Sequence, residues 1–165
     1  MKPLSWPLFI LLLAVAAIFE IRTTPDLPPL VASHFDYANQ ANGFMSRDGY
    51  LRFMLIMTVG LPLGLVTLLA AMYSRAPYLK IPNAEYWLNP ARMAQTRERL
   101  TIHTVWLGCL LVTSMAYVHW MLVDANHVQP PLLSSSAFKI GAALFLGGIA
   151  VWMAAFALMF SVRSR

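Results

Sequence analysis

The residues of this chain best suited to chemistry are imidazoles and carboxylates gathered toward one side of it. His34-Phe35-Asp36 lies in a polar segment after the first apolar run, and His119 stands near the end of the third. Asp124 and His127 follow it, and Glu20 belongs to the last turn of the first run. Imidazole nitrogen and carboxylate oxygen together suit zinc or another divalent cation. A metal site on His34, Asp36 and His119 is therefore one expectation, with Glu20, Asp124 and His127 as further donors. The spacing is a weak signal, because His-x-Asp does not fix two ligands on one helix face as His-Glu-x-x-His does. The competing expectation is that His34 and Asp36 hydrogen-bond loop backbone while Glu20 is solvated at an interface. His103 and His119 are sixteen residues apart, about 160° around an ideal helix, so they do not share a ligand on one face. Interfacial hydrogen bonding is the expectation for His103. No nucleophile elbow, phosphate-cradling glycine loop or metalloprotease motif occurs, so sequence motifs assign no catalytic residue and no cofactor.

Four strongly apolar stretches must position these groups, at roughly residues 4–21, 50–73, 102–123 and 138–162. Crossing ~30 Å of hydrocarbon takes about 20 mostly apolar residues. Mean hydropathy is +0.61, and only 12% of residues are charged, against about 25% in soluble domains. The expected fold class is all-α: an integral membrane four-helix bundle formed by residues 1–165 as a single domain. An outer loop joins helices one and two, and a short cytoplasmic amphipathic segment precedes helix three. No carboxylate is placed mid-span, which disfavours transport. The net charge of +5 follows membrane topology rather than a basic face, so the expected partner is the lipid bilayer and not nucleic acid. The lone Cys109 excludes an intrachain disulfide and a multi-cysteine zinc site.

Orientation follows from Lys and Arg in the flanks. Lys2, the second loop and the C-terminus carry eight basic residues, whereas Arg22, Arg47, Arg52 and Lys139 make four on the other side. Both termini and the 74–100 loop are thus expected in the cytoplasm of a multi-pass protein of the plasma (inner) membrane. The first stretch also has the look of a signal peptide at Ala14-Val15-Ala16, but Ile18-Phe19 carry the apolar run onward, and an uncleaved anchor is the expectation. Pro62 predicts a kink near residues 58–62. Gly60 and Gly64 predict close packing against another helix of the chain, and Gly141, Gly148 and Ala155 form a small-residue stripe that is a candidate face for packing, a protein partner or an oligomer. Asn89-Pro90 reads as a helix cap with proline in the first turn, with Arg92, Thr96 and Arg99 on one face after it.

Two segments carry a family resemblance. Residues 27–47 read Leu-Pro-Pro-Leu-Val-Ala-Ser-His-Phe-Asp-Tyr-Ala-Asn, continuing to Asn-Gly-Phe-Met-Ser-Arg, and residues 81–92 read Ile-Pro-Asn-Ala-Glu-Tyr-Trp-Leu-Asn-Pro-Ala-Arg. They resemble the uncharacterised membrane domain at the N-terminus of SdpI-type immunity and signalling proteins. The pattern there is Leu-Pro, then His-Phe-Asp-x-x-Gly, then Gly-aromatic-x-Ser-Lys, with Ile-Pro-Asn-x-x-Tyr-Trp-Leu-x-Pro-x-Arg in some members. Here Ala32 stands where proline usually precedes the motif, Asn39 where glycine is typical, and Arg47 where lysine is. Asparagine tolerates the left-handed region, and Gly43 is expected to supply a positive φ. The resemblance implies that His34, Phe35, Asp36, Tyr86, Trp87, Pro90 and Arg92 are the characteristic positions for ligand or partner binding.

The leading functional expectation is a non-catalytic integral membrane protein of signalling or immunity type that binds a partner. It would use the outer His-Phe-Asp loop and the cytoplasmic Tyr-Trp/Arg segment. The alternatives are a metal-binding membrane protein or metalloenzyme with an outer His/Asp site, and an accessory subunit of a larger membrane complex.

Overall fold

The computed structural model describes residues 4–161. Lys2, Arg163, Arg165 and the end of the fourth predicted stretch lie outside them. The chain is mostly helical, and four of its helices are long and apolar enough to cross a membrane. The first, α1 (Ser5–Thr23), buries Ser5, Phe9, Leu13, Ala16 and Glu20, a spacing of three and four residues that keeps all five on one face. A 3-10 turn at Thr24–Asp26 closes it, with Pro25 unable to continue the helix.

The expected outer loop is a β-hairpin, which corrects the all-α expectation. Strand β1 (Leu30–Phe35) pairs antiparallel with β2 (Ala41–Ser46). The register slips on either side of His34; before it Val31 and Ala32, on opposite faces of the regular pairing, are both buried. Asn42 and Gly43 are poor strand formers, which hides β2 in the sequence. Ser46 then caps α2 (Arg47–Leu55) by accepting a hydrogen bond from the Gly49 amide.

The second apolar stretch is one path in three pieces: α2, a π-helical turn at Ile56–Gly60, and α3 (Leu61–Arg75). The Leu61 amide bonds the Ile56 carbonyl, five residues back. Pro62 has no amide proton to offer and would crowd the preceding turn, and the widened turn absorbs both faults. The predicted kink is therefore a π-turn.

A short helix, α4 (Ala84–Trp87), precedes α5 (Pro90–Asn126). Asn89 accepts the Ala91 amide proton at 3.0 Å and caps α5 with Pro90 in its first turn. The segment after Asn89 runs straight into the third span, because α5 is unbroken for 37 residues, about 55 Å at 1.5 Å per residue. It is the central post: α1, α3 and α6 (Ser135–Phe160) all pack on it. Phe9, Leu13, Ala16, Val66, Val105, Cys109 and Val112 form the main core. A second cluster of Leu27, Val31, Tyr50 and Met54 lies under the hairpin.

The glycines sort differently from expectation. A Cβ on Gly60 would meet only Ile56 of its own turn, and Gly64 faces open space. The close approach falls at Gly108, where a Cβ would lie 2.7 Å from Val66 and 2.8 Å from Phe9. Gly141 and Gly148 face Tyr117 and Leu110 of α5, so these two pack within the chain, while Ala155 is exposed.

Candidate functional site

The hairpin tip is built by Asp36. One carboxylate oxygen, Oδ1, accepts from the Ala38 and Gln40 amides at 2.9 Å each. The Asp36 amide bonds the Gln40 carbonyl, and the Asn39 amide bonds the Asp36 carbonyl. Asn39 takes φ 61°, a conformation asparagine adopts more cheaply than branched residues. Gly43 has no positive φ; its role is proximity, since a Cβ there would lie 2.8 Å from the His34 Cβ. His34 and Asp36 are exposed and Phe35 is half-buried, while Tyr37 stands fully exposed at the apex.

Three straps hold the hairpin to the bundle. Arg47 donates to the Pro25 and Leu27 carbonyls, so its charge serves the fold. Asn126 treats Ala32 as a strand partner would, accepting its amide proton at 2.8 Å and donating to its carbonyl at 3.0 Å. Leu133 donates to the Asn39 carbonyl, and Leu132 pairs with Gln40. Two open hollows flank this last strap. One, of about 680 Å³, is walled by Phe44, Val128, Pro130 and Leu132. The other, of about 760 Å³, is lined by Asp36, Tyr37, Asn39, Asn42, Phe138 and Lys139.

Beneath the hairpin lies a buried polar cluster. His119 of α5 is fully enclosed. Its Nδ1 is 2.9 Å from the Tyr50 hydroxyl and its Nε2 is 2.7 Å from the Thr23 hydroxyl. Phe19 meets the ring edge-on at 5.1 Å. Close by in the same bundle, Thr58 donates from the π-turn to Glu20 Oε1, and Glu20 Oε2 has no partner. Glu20 is 0% exposed, which corrects the expectation of a solvated carboxylate. Its place on the inward stripe with Phe9, Leu13 and Ala16 is the reason.

His34, Asp36 and His119 are therefore separated by role: two sit on the exposed hairpin and the third is enclosed with both ring nitrogens occupied. Asp124 and His127 are exposed at the end of α5. Among the described residues no group of three His, Cys, Asp or Glu side chains is placed to hold a metal ion.

At the opposite end the Tyr-Trp segment forms a clasp. Asn83, at φ 54°, donates to the Phe160 carbonyl at 2.8 Å, and the Trp87 indole donates to the same oxygen at 3.2 Å. Thr96 of α5 donates to the Trp87 carbonyl. Arg92 lies 4.1 Å over the Tyr86 ring and Arg99 5.3 Å over Trp87, within cation–π range. Further along, the buried His103 stacks on Trp152 at 4.3 Å, and the Trp152 indole donates to the His103 carbonyl.

Tyr50, Thr58, Thr23 and Asn126 are functional candidates that reasoning from residue type passed over. Their hydroxyls and amide sit in or beside apolar runs, and the available signal is helical phase for the three hydroxyls, which fall on faces turned toward α1 or α5, whereas Asn126 turns toward β1. No protein-family model, curated protein or solved structure matches this chain.

Proposed function

We propose that this chain is a non-catalytic integral membrane protein that recognises a partner at its hairpin end. In this reading it crosses the plasma (inner) membrane four times, with both termini and the Tyr-Trp clasp in the cytoplasm and the hairpin outside. The basic residues concentrated at the clasp end support that orientation. The observation that carries the reading is Tyr37, a fully exposed aromatic on a turn fixed by Asp36. Rigidly presented aromatics supply contact area at low entropic cost and dominate recognition surfaces. The resemblance of residues 27–47 and 81–92 to the SdpI-type domain adds an immunity or signalling role to the proposal.

His34 and Phe44 are exposed on the hairpin as well, and Tyr86, Trp87, Pro90 and Arg92 act as the brace for the far end in this scheme. A photo-reactive amino acid at position 37, introduced into the full-length protein in its own membrane, tests it. A discrete cross-linked adduct is expected at position 37, with none at the lipid-facing position 151. Tyr37→Ala should reduce the associated phenotype at least tenfold with protein abundance unchanged. A Tyr37→Ala protein that behaves as the parent, and no adduct at position 37, would contradict the proposal.

A further inference from the structure

Six of the seven acidic side chains, Asp26, Asp36, Asp48, Glu85, Glu98 and Asp124, are exposed. Glu20 alone is enclosed, at 0% exposure, in a helix apolar enough to cross a membrane. An intramembrane carboxyl group is costly and needs a partner or a task. Thr58 supplies one hydrogen bond, to Oε1, and Oε2 has none.

The elements packed on α1 at this level offer Glu20 no counter-charge. From α2 comes the Tyr50 hydroxyl and from α5 the His119 ring, whose two nitrogens are taken up by Tyr50 and Thr23. The cations of this end lie elsewhere. Arg22, Arg52 and Lys139 are exposed, and Arg47 is committed to the Pro25 and Leu27 carbonyls. A divalent cation finds no third ligand among the described residues, and the two hollows at this end are lined by other side chains.

We propose that Glu20 is a proton-binding site, in which Oε2 takes up a proton from water and can return it to water. One O–H bond forms and the carboxylate charge disappears; the reverse step gives the proton back to water and restores the charge. A proton is the ligand that needs no cavity, and it removes the unpaired charge whose burial costs most. Thr58 links the site to the main chain at the π-turn, where one extra backbone residue lets the path of the helix shift. The proton is thus bound where α1 meets the π-turn at Ile56–Gly60.

Infrared difference spectroscopy of the full chain in lipid nanodiscs at neutral pH reads the site directly, since a protonated carboxyl group has a carbonyl stretch that a carboxylate lacks. The expected result is a carbonyl-stretch band of a protonated carboxylic acid in the parent protein, shifted in deuterium oxide, lost reversibly at alkaline pH and missing in Glu20→Gln. Glu20→Gln, which imitates the protonated form, is expected to keep the parent's thermal unfolding midpoint. A parent spectrum without that band, or a band unchanged in Glu20→Gln, overturns the proposal. So does a Glu20→Gln protein that fails to fold, or a sodium-dependent unfolding midpoint that disappears in that variant, because either result means the ionised form is required.

Discussion

Asp36 holds the hairpin tip with a single oxygen that receives two amide protons, and the exposed Tyr37 depends on it. Removing that acceptor leaves two turn amides to water and lets residues 36–40 sample other conformations. Asp36→Ala is expected to destabilise the hairpin by about 1–2 kcal/mol, read as faster protease nicking at the tip, whereas Asp36→Asn retains an acceptor oxygen and most of the turn. Below it, Tyr50→Phe removes the hydroxyl opposite His119 Nδ1. An enclosed ring nitrogen without a partner costs about 1–3 kcal/mol, so the thermal midpoint should fall, and Thr67→Val, on an exposed hydroxyl, should leave it unchanged. At this scale the motif residues announce themselves by type. His34 and Asp36 stand out in any polar loop, and Asn39 accepts the left-handed turn its amino-acid type allows. The burial of Glu20 and Tyr50 is not legible this way, because whether a polar side chain near the end of an apolar run faces water or protein depends on the partner helix.

Gly108 shows how an element's contact is set by its neighbour rather than by its own pattern. The Gly60/Gly64 spacing has the form of a helix-approach motif, yet both glycines meet almost nothing beyond their own helix, while the isolated Gly108 lets Phe9 and Val66 close on α5. Gly108→Ala should therefore lower the unfolding midpoint, at a cost of about 1–3 kcal/mol from forced displacement of α1 and α3. Gly64→Ala should be neutral or stabilising by up to ~1 kcal/mol, because a helix-interior glycine is replaced where nothing obstructs a methyl group. The π-turn follows the same logic in reverse. Pro62 alone predicts a break, since its missing amide is a property of the residue. The hairpin escapes notice because Asn42 and Gly43 weaken β2 locally, and its stability comes from Asn126 and Arg47 reaching in from other elements.

Across the whole molecule, hydropathy alone locates four spans, because each apolar run reports the solvent it needs. The helices share one post, α5, which ties the buried cluster at His119 to the Tyr-Trp clasp at Thr96 through a single unbroken backbone. A large apolar surface remains exposed on α6, including Leu144, Val151 and Leu158, in a helix long and apolar enough to cross a membrane. The two ends are chemically distinct: the hairpin presents Tyr37, and the clasp gathers Arg92, Arg97 and Arg99. Which side of the membrane each end occupies decides whether the hairpin can meet an external partner. In a Cys109→Ala background, single cysteines at positions 37 and 80 test this in intact cells with a membrane-impermeant thiol reagent. The account predicts that Tyr37→Cys is labelled at once and Lys80→Cys only after the membrane is permeabilised. Equal labelling of both positions from one side would contradict it.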